Sequence, residues 1–278
     1  MSSLSPYAAA HLEPQGAGDA RPTALQIIHD EGVKDKLAGK VIVITGATLL
    51  LTSRNRSKAE KNLAGILEPG RVSLVDMDLD SFASIRAGAK EIISMSKGQV
   101  NILISNAGAM GLQNYTVTED GIEAQFAGNY LGFFLLFQLS CRGGNFVCSP
   151  GCYSSTVYLA NTIERLHGAR GLHATSLHPG AINTEFSRNM PPEFLETIMT
   201  NPYVLKVLKS PEHGAATTVW AAVSKEWEDK GGKYLEDCKK ADRGQDDGQA
   251  LGVGWVKQTY DIQEEERLWK DSLSIVGM

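Results

Sequence analysis

Residues 39–55 read GKVIVITGATLLLTSRN: two runs rich in β-branched and apolar residues, 41–45 and 48–53, held apart only by Gly46-Ala47. Each run has strand composition. A parallel pair of strands needs a crossover of about ten residues or more, usually a helix, and here there are two. The spacing therefore predicts either one long strand or a two-residue type II′ hairpin with Gly46 in its first central position.

Downstream, the runs SLVDMDL, NILISNAG, NFVCS, LHATSLHPG and GKYLED alternate with helical stretches. That rhythm is the mark of an α/β, doubly wound, mostly parallel sheet, here truncated at its first strand-helix-strand unit. Apolar spacing predicts helices through Phe82, Ile85, Ala89, Ile92 and Ile93, and through Val157, Leu159, Ala160, Ile163 and Leu166. A last helix, IQEEERLWKDSLSIV, carries Ile262, Leu268, Trp269 and Leu273 near one face and is expected at the sheet edge. Prolines 191, 192, 202 and 211 punctuate a segment of about 185–212, which reads equally as a mobile flap over a site or as a surface excursion. Residues 1–38 read as an N-terminal arm laid over a single domain spanning 39–278.

The net charge of −5 and scattered Lys and Arg offer no basic footprint, so nucleic acid is not an expected partner. The most apolar window, Leu131 to Leu139, is far shorter than the roughly 20 residues of a membrane-spanning helix. The first residues lack a secretory pattern, and a cytoplasmic location is expected. Cys141, Cys148 and Cys152 cluster without a CxxC pair or a nearby His, so isolated thiols are expected and no metal.

The ordered set TSRN (52–55), DMDLDS (76–81), ISNAG (104–108), FAGNYLGFF (126–134) and LHPGAINTEF (177–186) resembles the short-chain dehydrogenase/reductase family, nearest its retinol-dehydrogenase-like and WW-domain-oxidoreductase-like branch. The resemblance implies a Rossmann-like fold and an NADP(H)-dependent oxidoreductase acting on a small molecule, a lipophilic ketone or alcohol such as a secondary metabolite. It implies that Arg54 holds the ribose 2′-phosphate, a bidentate task suited to guanidinium. It sets Asp78 and Leu79 at the adenine edge and Asn106, Ala107 and Gly108 in a turn against the cofactor. It gives Gly180, Ile182 and Thr184, after Pro179, to the nicotinamide carboxamide, and Asn129 to a relay water. Ser149 and Tyr153 match the catalytic serine and tyrosine, with Tyr158 an alternative. Any homodimer is expected to use the helices near 121–140 and 154–168.

Two interruptions qualify that picture. The family's glycine-rich turn, whose following helix receives the pyrophosphate on its N-terminal amides, has no counterpart after Gly46-Ala47. The family also needs a lysine four residues beyond the tyrosine, one helical turn away, to lower the phenol pKa. Val157 stands there, and no Lys occurs between Lys97 and Lys206. Ser149 lies only four positions before Tyr153, where the family has a longer loop. The joins are abrupt between family-like flanks, as when whole segments are lost. Two readings follow: the family's oxidoreduction, or a non-catalytic remnant, either a binding or scaffold protein or a non-functional product.

Overall fold

The computed structural model describes residues 6–34, 36–37, 40–45, 50–68, 71–141, 143–149, 153–246 and 253–278. In chain order the helices are α1 (Ala24–Asp30), α2 (Arg56–Asn62), α3 (Phe82–Met95), α4 (Ala124–Phe126), which runs through a π-helical turn at Ala127–Leu131 into α5 (Gly132–Ser140), α6 (Tyr153–His167), α7 (Pro192–Thr200), α8 (Pro202–Val207), α9 (Pro211–Val223) and α10 (Ile262–Ile275). The strands are β1 (Ile42–Thr45), β2 (Leu50–Ser53), β3 (Ser73–Asp76), β4 (Ile102–Ser105), β5 (Gly144–Cys148), β6 (Leu172–His178), β7 (Lys233–Glu236) and β8 (Lys239–Lys240). They form one sheet in the order β3-β2-β1-β4-β5-β6-β7-β8, parallel except for the β7–β8 pair. This is the doubly wound α/β architecture read from the sequence.

Successive strand residues face opposite layers. Val43, Leu103 and Phe146 join one core with Ile85, Phe134 and Leu159 from α3, α5 and α6, whereas Ile42, Ile104 and Val147 join a second with Trp220 of α9. Burial on both faces explains why the central strands are continuously apolar rather than alternating. Of the helix positions expected to face inward, Ile85, Ala89, Ile92, Leu159, Ala160 and Ile163 are buried, whereas Ile93 and Leu166 point outward. In the arm, α1 packs on α9 and buries Ile27.

The expectation for residues 39–55 is corrected. β1 and β2 are neither one strand nor a hairpin: they pair in parallel, with Val43 opposite Leu50 and Thr45 opposite Thr52. Leu50 therefore lies two residues back from Thr45 and one strand over, roughly 8 Å away. Five Cα steps of about 3.8 Å reach well beyond that. The longer minimum applies to a crossover that carries a helix over the sheet, for which the four residues between Thr45 and Leu50 are too few. The pairing is also imposed from outside the link, since β1 is fastened to β4 and β2 to β3. The Gly46-Ala47 turn itself lies outside the described residues, as do the proposed boundary at Ala38 and Gly39 and the thiol of Cys152.

The last helix is likewise corrected. Instead of closing the sheet edge, α10 packs on the helix layer against α6. Trp269 meets Phe134, Phe137 and His167, and Tyr130 Oη pairs with Ser272 Oγ at 2.9 Å.

Candidate functional site

The C-terminal ends of β2, β3 and β4 open onto a cleft of about 740 Å³, the place where open parallel sheets bind ligands. Its walls bring together six of the sequence-predicted residues, Arg54, Asp78, Leu79, Ala107, Gly108 and Asn129. Arg54 leaves the end of β2, and Asn55 caps α2 by accepting Lys58 N–H at 2.9 Å. The Asp78 loop is folded on itself: Ser84 Oγ accepts Asp78 N–H at 2.9 Å, and Asp78 Oδ1 accepts Asp80 N–H at 3.1 Å.

The FAGNYLGFF motif earns its glycines here. A methyl group at Gly132 would stand 2.7 Å from the Leu79 carbonyl oxygen, and one at Gly128 would overlap Asp80 Oδ1. Hydrogen at both positions lets the helix press directly on the loop 78–80. One residue on, the Asn129 amide grips the turn after β4, its Oδ1 accepting from Ala109 N and its Nδ2 donating to Ala109 O, both at 2.8 Å. Asn129 thus ties the turn to the π-helical bend, a distortion frequent at functional sites.

The cleft is also charged in a way the sequence reading missed. Arg54 pairs with Asp80 at 3.4 Å, and Lys58 of α2 reaches across to Glu185 at 2.7 Å. Burial and the neighbouring Asp78 push the Asp80 carboxyl above its ordinary range, against the pull of Arg54. The hydrogen bond from Lys58 holds Glu185 below the usual carboxylate range. Lys58 stands four residues beyond Arg54, on the first turn of α2, near enough in sequence to have flagged it; Glu185 sits over a hundred positions away, and only folding brings it there.

The remaining predicted residues lie elsewhere. Asn106, Ser149, Gly180, Ile182 and Thr184 are not among the cleft walls. Ser149 is buried and donates its backbone N–H to Ser105 O at 2.9 Å. Gly180, at φ +99°, lies on the Lys209 side chain, and Ile182 pairs with Lys209 in a short parallel bridge. Thr184 caps the turn Glu185–Ser187, its hydroxyl accepting from Phe186 N–H. Tyr153 opens α6, with its side chain outside the described residues. Burial, with Asp261, Glu264 and Glu265 nearby, pushes the Tyr158 phenol up, which places it toward the α10 side. Val157 is buried at the lysine position.

Beneath the 179–184 loop is a second cluster that sequence reasoning did not find. The Lys209 ammonium, almost fully buried, donates to Pro179 O at 3.1 Å and to Asp237 Oδ1 at 2.7 Å. His11 of the arm brings Nδ1 to 3.2 Å from the same carboxylate oxygen. Nearby, Arg21 donates to Val207 O and Leu208 O.

The short chain dehydrogenase family model matches residues 36–143. Short-chain dehydrogenase/reductase prx1 of Penicillium roqueforti is 37% identical over 98% of this chain and 95% of its own length. Oxidoreductase calI of Penicillium decumbens is 33% identical over 99% and 98%, and retinol dehydrogenase 13 of Mus musculus 26% identical over 88% and 86%. The alignment to the P. roqueforti protein runs to 326 positions against a chain of 278, so at least 48 positions of that relative face a gap. With both chains covered almost end to end, those gaps are largely internal. Among solved structures, a protein of Mycobacterium paratuberculosis superposes with a TM-score of 0.62 at 19% identity, covering 87% of this chain and 95% of that one. A gluconate 5-dehydrogenase from Burkholderia cenocepacia in complex with NADP and tartrate superposes at 0.53 with 17% identity, covering 71% and 93%. Both are likenesses of fold.

Proposed function

Because this chain belongs to the short-chain dehydrogenase/reductase family of oxidoreductases, we propose that its cleft recognises the 2′-phosphorylated adenosine end of NADP(H), and that its chemistry is the interconversion of a lipophilic ketone and alcohol in secondary metabolism. The observation that carries the reading is the convergence of Arg54, Asp78, Leu79 and Gly108 on one cleft. Arg54 supplies a planar cation for a phosphate, Asp78 and Leu79 supply an edge for adenine, and Gly108 permits close backbone approach. The retinol dehydrogenases among the relatives favour an apolar substrate. Two buried, unbridged thiols, Cys148 and Cys238, suit a reducing cytoplasmic setting. No helix among the described residues is long and apolar enough to cross a membrane.

The residues present fit one end of that cofactor and not the other. Four residues between β1 and β2 leave no room for a glycine-rich turn followed by a helix, so the pyrophosphate lacks its usual cradle. A second reading, binding without turnover, is favoured by Val157, which leaves Tyr153 without an ammonium one turn away to stabilise its phenolate. NADPH titration followed by turnover assays on a panel of lipophilic ketones separates the two. Binding with turnover establishes the first, binding alone establishes the second, and no binding at millimolar NADPH overturns the shared premise.

A further inference from the structure

Resting on the reading that the cleft takes a 2′-phosphorylated adenine nucleotide, we infer that this chain has become a mononucleotide site, which holds the adenosine 2′-phosphate moiety and makes no net use of the nicotinamide half. The division is visible in which described residues the cleft gathers. Arg54, Asp78, Leu79 and Gly108 line it, whereas Gly180, Ile182 and Thr184, the residues assigned to the carboxamide, are outside its walls.

The carboxamide loop is instead committed to the protein interior. Lys209 N–H donates to Ala181 O at 2.8 Å, its ammonium takes Pro179 O at 3.1 Å, and its side chain fills the space over Gly180. The Ile182 side chain packs against Gly214 of α9. Between the two ends, the β1–β2 link is too short to offer the turn and helix that would bridge them. An intact dinucleotide would therefore gain little over its adenosine end, because its pyrophosphate and nicotinamide meet no built receptor among the described residues.

The cleft also holds its anion subsite in a filled, exchangeable form. Three cations line it: Arg188 donates to the Glu185 carbonyl oxygen, while Arg54 and Lys58 are paired with the carboxylates of Asp80 and Glu185. All four paired groups are substantially exposed, so each pair is weak. A doubly charged phosphate between Arg54 and Lys58 would replace two carboxylates with three acceptor oxygens. Glu185, carried on the segment after β6, acts as the internal competitor for Lys58.

Calorimetric titration of the full chain with adenosine 2′,5′-bisphosphate, 5′-AMP, nicotinamide mononucleotide and NADPH tests this. The bisphosphate and NADPH are expected to bind within about threefold of each other. 5′-AMP should bind at least about tenfold more weakly, the loss expected when hydrogen bonds to a charged group are removed, and nicotinamide mononucleotide should not bind. Arg54→Ala should weaken the bisphosphate about tenfold or more, and Glu185→Gln should tighten it. NADPH binding about a hundredfold tighter than the bisphosphate would overturn the inference while leaving NADP(H) recognition intact. Failure of both ligands to bind would instead overturn the reading on which it rests. Arg54 and Glu185 are exposed, so their variants keep the fold.

Discussion

Trp269 of α10 sets its ring edge-on to Phe134 of α5, with centroids 5.1 Å apart and planes at 78°. The contact belongs to a seam in which α10 covers α5 and α6, the helices expected to serve any dimer. Arg165 of α6 reaches Glu265 at 3.2 Å, and Asn161 Nδ2 donates to Glu265 and to Thr259 O, each at 2.9 Å. Much of the apolar surface of both helices is thus covered within the chain, though Leu166 of α6 stays exposed. The protein is expected to sediment as a monomer at tens of micromolar, and Trp269→Ala to lower stability by about 2–3 kcal/mol, less than a fully buried tryptophan. Denaturant unfolding measures the second, and a stable wild-type dimer would contradict the first.

Gly132 is a second place where one atom decides geometry. Gly132→Ala puts a methyl against the Leu79 carbonyl, which is backbone and must shift. The expected cost is about 1–3 kcal/mol of stability, as for overpacking. Nucleotide affinity should fall with it, because the loop 78–80 moves. Gly65, with open space around its missing Cβ but a φ of +83°, controls for strain away from the cleft.

The Lys209–Asp237 pair gives a pH prediction. Burial would raise the Asp237 carboxyl, but His11 and Lys209 beside it outweigh this and hold it well below the usual carboxylate range. A carboxylate depressed on folding adds stability that is present above its unfolded pKa of about 3.9 and is lost as pH falls below it. Asp237→Asn tolerates the backbone, since residue 237 sits at φ +50° where Asn is at home. It leaves Lys209 buried and unpaired, at a cost of about 2–3 kcal/mol, below that of a fully buried pair because Asp237 is partly wet. Between about pH 4 and pH 2 the wild type should lose stability more steeply than the variant. Parallel acid titrations would count against the pairing.

Val157→Lys alone is expected not to produce ketone-dependent NADPH oxidation above background, because it adds a cation without the missing phosphate turn. It should also destabilise the fold, since position 157 is buried. Grafting a glycine-rich turn and helix between Ala47 and Thr48 should restore dinucleotide affinity first, with turnover requiring the Tyr-Lys segment as well. The lysine's share of the rate is roughly 10²–10⁴-fold. Steady turnover by the single variant would show that the cofactor site is complete as it stands.

By itself the sequence determined the strand runs, the parallel α/β class, the family and both interruptions, because each is written in local pattern: composition over four to seven residues, glycine placement, or a residue type at a fixed offset such as Val157 after Tyr153. It misjudged the partner of β2. The spacing rule assumes a helical crossover, whereas what sets the β1–β2 pairing is the grip of β3 and β4 on their outer edges. It also could not show that α10 covers α6, or that Lys58 meets Glu185 and Lys209 meets Asp237. These contacts join residues far apart in the chain, and their existence depends on which surfaces meet once the layers close. Arg54 stood out in the sequence by its place after the second strand, but that Asp80 already holds it was decided by the glycines of the 126–134 helix, which let that helix press the 78–80 loop into the cleft.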